Sequence, residues 1–189
     1  MTPAPIRPPD AAAADAAAAG AADADAGTSI AAPARRSPDE QQRLEQMLRD
    51  LFESGLPFNR VLGIEVLSAD PAAPSFGFAM RPQLVGHPLY GRLHGGVISA
   101  VLDATGGFAV LCALAEKHSN ETAEQLAHRF GRLGTIDLRV DYLHQGMGER
   151  FVSRAEVTRL GGRIGSVQMR LENDSGMLIA TGAAAYIIS

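Results

Sequence analysis

Apolar residues fall into three different rhythms along this chain. Leu44, Met47, Leu48 and Leu51 recur every three or four positions, which predicts an amphipathic helix reaching to about Ser54. Its start is marked by Ser37-Pro38-Asp39-Glu40. This is capping-box spacing, with Ser37 as N-cap, Pro38 at the first helical position and Glu40 closing the box. The second rhythm is unbroken: Gly95 to Ala115 is a run of 21 residues in which Asp103 is the only charge. A helix apolar on all sides is what a sheet wraps as its core. In the last third the period drops to two. Ile136, Leu138, Val140 and Tyr142 alternate with Thr135, Asp137, Arg139 and Asp141 over the strand Thr135–Leu143.

Further strands are expected at Gly63–Ala69, Ser75–Arg81, Glu149–Arg159, Arg163–Glu172 and Met177–Ile188. A Gly161-Gly162 turn and an Asn173-Asp174-Ser175-Gly176 turn join the last three, and the short links favour antiparallel hairpins through the final four strands. A Gly/Pro-containing loop covers Pro82–Leu93, and a short helix is expected at Glu121–Phe130. One long helix against a six-stranded antiparallel sheet is an α+β layer arrangement, with an extra helix at the N-terminal side. Residues 37–189 form the expected domain. Residues 1–36, rich in Ala, Asp, Pro and Gly without an aromatic residue, bury too little surface to order and are expected to be a disordered tail.

Charge and cysteine content narrow the function. A formal net charge of -4 and the lack of a Lys/Arg block argue against nucleic-acid binding. Cys112, the single cysteine, excludes an intrachain disulfide, and the five histidines show no ligand spacing, so no metal site is expected. The tail lacks a basic start followed by a Leu/Val-rich core, and its acids argue against a transit peptide, so a cytoplasmic location is expected. Gly95–Ala115 is just long enough to span a bilayer, but its four glycines and its acid make it a poor candidate.

Those same features locate the chemistry. A lone carboxylate is costly to bury, so Asp103 in the most apolar segment points to a use. His94-Gly95-Gly96 stands where loop becomes helix, where unpaired N–H groups and the helix dipole can hold a developing oxyanion. The two features lie nine residues apart, roughly 13 Å along a helix and on nearly opposite faces. Acting together therefore requires antiparallel helices of two chains, in a homodimer or a dimer-of-dimers tetramer.

LHGGVISAVLDATGG, followed by TIDLRVDY, resembles the hotdog-fold acyl-CoA thioesterases of the PaaI type, and among them the YigI-like members that act on medium- and long-chain acyl-CoA. The likeness runs from about Phe58 to Ile188. It implies a hotdog fold and hydrolysis of acyl-CoA to free acid and CoA, with no cofactor, since coenzyme A is part of the substrate. It makes Asp103 the general base or nucleophile and the Gly95 amide the carbonyl-polarising donor. His94 orients the turn, and Thr135 helps place water. A thioester is already a good electrophile, so an attacking group and an oxyanion donor suffice without a metal.

The chain also departs from the family. His87 follows Leu84-Val85-Gly86 where relatives often carry Asn, so His87, or the amide of Asn59, is the candidate donor there. His144-Gln145-Gly146 replaces a usual Arg-Pro-Gly, while Arg159 and Arg163 beside the Gly161-Gly162 turn are candidate CoA phosphate contacts, and Gly96 a further substrate contact. Two other functions fit the fold. A hotdog dehydratase would need a Pro-Gly-rich helix entry, which is missing, and a non-catalytic acyl-CoA sensor has little need of a buried acid.

Overall fold

The computed structural model describes residues 34–188; the low-complexity stretch before them lies outside the described residues. Helix α1 (Pro38–Asp50) starts as the capping signal requires, with Ser37 Oγ accepting from the Glu40 N–H at 3.2 Å. Glu40 does not close the box: its carboxylate accepts instead from the Ala123 N–H at 2.7 Å, which ties α1 to the first turn of α4 (Ala123–Phe130). A π-helical turn (Leu51–Gly55) and a short helix α2 (Pro57–Leu62) continue the N-terminal layer. The α2 turn is not visible as periodicity because it is too short to repeat.

Strands β1 (Glu65–Ser68) and β2 (Ser75–Ala79) come next, then a small hairpin of β3 (Val85–His87) and β4 (Arg92–Leu93) within the expected loop. Helix α3 (Gly95–Lys117) follows, then α4 and strands β5 (Gly134–Tyr142), β6 (Arg150–Leu160), β7 (Ile164–Asn173) and β8 (Leu178–Ile187). The six-stranded sheet has the order β1-β2-β6-β7-β8-β5, antiparallel throughout. Strands β6, β7 and β8 are the expected hairpins. β5 and β6 are not: β5 pairs with β8 at the far edge, and its link to β6 crosses the sheet instead of turning back.

This is the hotdog arrangement, with α3 packed along the inner face of the curved sheet. Its buried residues, among them Ile98, Val101, Leu102, Phe108 and Leu111, meet Phe76, Phe78, Val167, Met169 and Leu171. Phe108 anchors an aromatic cluster, with ring centroids 4.7 Å from Phe76 and 5.0 Å from Phe52. Gly95–Lys117 is long and apolar enough to cross a membrane, yet 72% of its most apolar window is buried against the rest of the fold.

At the other end of α3, Arg36 closes the C-terminus. Its guanidinium donates to the carbonyls of Ala115 (2.7 Å), His118 (3.0 Å) and Glu121 (3.0 Å). A cation among the last carbonyls of a helix satisfies both their hydrogen-bonding and the dipole. The contacts of the domain therefore extend to Arg36, assigned above to the tail.

Candidate active site

Two hydroxyls converge on one oxygen of Asp103. Thr135 Oγ1 donates to Oδ1 at 2.9 Å, and Tyr186 Oη lies 3.1 Å from the same oxygen and 2.8 Å from the Asp103 backbone carbonyl. Asp103 is half-buried, and among the described residues Oδ2 accepts no hydrogen bond. One carboxylate oxygen is held and the other is open.

Thr135 reaches Asp103 because β5 is bulged. Thr135 pairs with Tyr186, but the next paired residue is Asp137, opposite Ala185, so Ile136 is an extra residue in the strand. A bulge resets which face the flanking residues occupy. Unbroken alternation would put Thr135 on the outer face with Asp137, Arg139 and Asp141. The bulge groups it with Leu138 and Val140, which pack on the core, and leaves Ile136 55% exposed.

Tyr186 sits deeper, at 1% exposure. Burial first, and then the Asp103 carboxylate, hold its hydroxyl far above the ordinary tyrosine pKa, so it stays protonated and acts as a donor. Room for the ring comes from Gly106: a Cβ there would run into the Tyr186 hydroxyl and lie 2.6 Å from Met169 Sδ.

The head of α3 is built separately. His94 is the N-cap in extended conformation, and its Nδ1 accepts from the Gly96 N–H at 2.9 Å. Accepting at Nδ1 puts the ring proton on Nε2. A Cβ on Gly96 would stand 2.9 Å from Nδ1, so only glycine lets the ring fold back over the turn. The Gly95 N–H belongs to the unpaired donors of the first turn and meets no acceptor among the described residues. Tyr142, at the far end of β5 from Thr135, donates its hydroxyl to the Gly95 carbonyl at 3.0 Å. One edge strand thus braces both the acid and the turn.

Not every candidate joins this site. Gly96 has its N–H occupied by His94 and offers no donor to a substrate. Asn59 is 5% exposed and its amide donates to the Phe52 carbonyl at 3.1 Å, so it holds α2 to the preceding turn and is not presented to a ligand. Arg159 and Arg163 are exposed beside a turn whose Gly161 carbonyl lies 3.4 Å from Lys117 Nζ, at the C-terminal end of α3. At the helical rise that is about 21 Å from Asp103 within one chain. His87 is half-buried on β3, its Nδ1 accepting from the Leu89 N–H at 3.3 Å and its ring 4.8 Å from that of Tyr90. His144 bonds the Leu178 carbonyl at 2.8 Å and fastens the β5–β6 link to the start of β8.

Two residues at the site escaped the sequence reading, Tyr186 and Tyr142. Each had a signal. Tyr186 falls on the inward register of an alanine-rich strand, where a buried hydroxyl must find a partner. Tyr142 ends an alternating strand whose other apolar members carry no hydroxyl.

Chemically, the parts are an ionisable acid with a free oxygen and a separate backbone donor at a positive helix end. Within one chain no hydrogen bond joins Asp103 to His94 or Gly95 among the described residues. Nor do three potential metal ligands cluster among them. A sheet-wrapped helix with an acid along it and an unpaired amide at its head defines a protein of the hotdog class. The chain belongs to the thioesterase superfamily, whose sequence pattern matches residues 90–180. It is 34% identical over 143 residues to the medium/long-chain acyl-CoA thioesterase YigI of Escherichia coli and to that of Salmonella typhimurium, spanning 76% of this chain and 92% of each relative. A crystal structure from Shewanella oneidensis, of a protein related to the thioesterase superfamily, superposes with a TM-score of 0.76 at 34% identity, covering 82% of this chain and all of that one.

Proposed function

We propose that the protein hydrolyses medium- and long-chain acyl-CoA thioesters at a site shared between two chains. Asp103 of one chain takes a proton from water, or attacks directly, at the thioester carbonyl carbon. The Gly95 N–H of the second chain receives the charge that develops on the carbonyl oxygen. Collapse of the tetrahedral intermediate expels the CoA thiolate, which is protonated to the thiol, and releases the fatty acid, through a mixed anhydride hydrolysed by water in the direct route.

The observation that carries this reading is the open Oδ2 of Asp103 on a half-exposed stretch of α3. Val97, Ser99, Ala100, Asp103 and Ala104 are all half-buried, so this stretch is accessible, and most of its side chains are small enough for a second helix to approach. β5 ends the sheet, with no strand beyond it among the described residues, and carries exposed Ile136 and Tyr142. Both features favour a homo-oligomer, and the burial of the apolar α3 within the fold accords with a cytoplasmic enzyme working on diffusible acyl-CoA. The chain length follows the names of the YigI relatives.

Thiol release over a panel of acyl-CoAs, short to long, tests the reading. The wild-type protein should turn over the longer members, and Asp103→Asn should lose turnover by about a thousandfold or more while keeping its fold. Wild-type rates from Asp103→Asn would end the assignment.

A further inference from the structure

We propose that Tyr186 is a positioning residue for the reacting acid: with Thr135 it holds Oδ1 of Asp103 and so assigns the reaction to Oδ2. This rests on the reading of Asp103 as the reacting group. The geometry carries it in three ways.

Among the described residues the hydroxyl of Tyr186 reaches no acceptor outside Asp103. Both acceptors it reaches, at 2.8 and 3.1 Å, belong to Asp103, one on the backbone and one on the side chain. The single hydroxyl proton is shared between the two as a three-centre bond, which ties the side-chain oxygen to the backbone carbonyl of the same residue and so restricts the side-chain torsion. A phenylalanine would fill the same space if packing were the only requirement.

The second donor arrives from an independent element. Thr135 and Tyr186 are cross-strand partners, and the extra residue Ile136 turns the Thr135 hydroxyl onto the same oxygen. Two strands therefore deliver donors to Oδ1 and none to Oδ2. Because Tyr186 and Thr135 act on one atom, their effects must be coupled rather than independent.

Finally, helix α3 is shaped to admit the hydroxyl. Gly106 gives up a side chain in the middle of a long helix, and the space it vacates is taken by Tyr186 Oη and Met169 Sδ. An acid free to rotate would present either oxygen, or neither, to a substrate; holding it removes that search from the reacting step.

Steady-state thiol release on the full-length protein tests the proposal. Tyr186→Phe should lower kcat by about ten- to a hundredfold with KM within about twofold of wild type, the pattern for a group that touches no substrate. Thr135→Val should act the same way, and Thr135→Ser, which keeps a donor, should restore most of the rate. The double variant Tyr186→Phe/Thr135→Val should lose less than the product of the single losses. Should Tyr186→Phe fail to fold, Tyr186→Met supplies a flexible apolar filler without a hydroxyl and must show the same split. A Tyr186→Phe or Tyr186→Met enzyme with wild-type kcat overturns the inference, as does a change confined to KM or strict multiplicativity in the double variant. Asp103→Asn runs alongside: turnover surviving there defeats the reading of Asp103 itself. An inactive Asp103→Asn beside an unimpaired Tyr186→Phe defeats only the positioning role.

Discussion

Gly106→Ala and Gly107→Ala form a matched pair that tests the packing beneath Asp103. In a helix interior each alanine gains about 1 kcal/mol of propensity over glycine. At Gly107 the added Cβ would lie 3.4 Å from Leu133 Cδ2 and 3.6 Å from Tyr186 Cε1, which is ordinary contact. That variant should be as stable as wild type or more so, by up to about 1 kcal/mol. At Gly106 the Cβ would stand 2.6 Å from Met169 Sδ and 3.1 Å from Tyr186 Cζ, and would strike the hydroxyl. Overpacking of a filled core costs about 1–3 kcal/mol, and pushing Tyr186 off a carboxylate loses a hydrogen bond of about 1.5–3 kcal/mol. Net destabilisation of about 1.5–5 kcal/mol is therefore expected for Gly106→Ala, with reduced turnover. Urea unfolding followed by circular dichroism, at one fixed protein concentration because an oligomer couples stability to concentration, measures both variants. Equal stabilities, or Gly106→Ala as the more stable, would refute the placement of Tyr186 against the helix.

Other expectations follow from contacts elsewhere. Arg36→Ala removes the guanidinium from the Ala115 and His118 carbonyls at the end of α3 and the Glu121 carbonyl in the link to α4, and should cost about 1–3 kcal/mol in urea unfolding, with Arg36→Lys recovering only part because one ammonium cannot span all three. An unchanged midpoint would show that the cap contributes nothing. Burial pushes the Cys112 thiol up to about 12, so it carries no appreciable thiolate at neutral pH. A chromogenic disulfide reagent should leave the native protein untouched and titrate one thiol after denaturation. Rapid labelling of the native protein would contradict the buried placement.

The apolar run around Asp103 and the alternating strands make the helix-on-sheet layers legible in the sequence, because both depend on local periodicity. Ser37 likewise announced its cap through a spacing of a few residues. What stayed hidden depends on partners distant in the chain. Glu40 looked like half of a capping box, yet it serves α4, some eighty residues on. The bulge at Ile136 exists only relative to the register of β8, so strict alternation assigned Thr135 the wrong face, and its hydrogen bond to Asp103 was not legible. Asn59 offered an amide to a ligand on paper, and its use inside the α2 turn became visible only with its burial. The edge position of β5 was obscured by a link short enough to suggest a hairpin.

A mixed dimer puts the shared site to the test. One chain carries Asp103→Asn and the other Gly95→Pro, which deletes the N–H at the first helical position, where proline suits a helix and follows the extended His94 without strain. Each homodimer should be inactive. In the purified heterodimer one site holds both defects and the other neither, so about half of the wild-type activity per dimer should return. Verified heterodimers as inactive as either parent would contradict a site built from two chains.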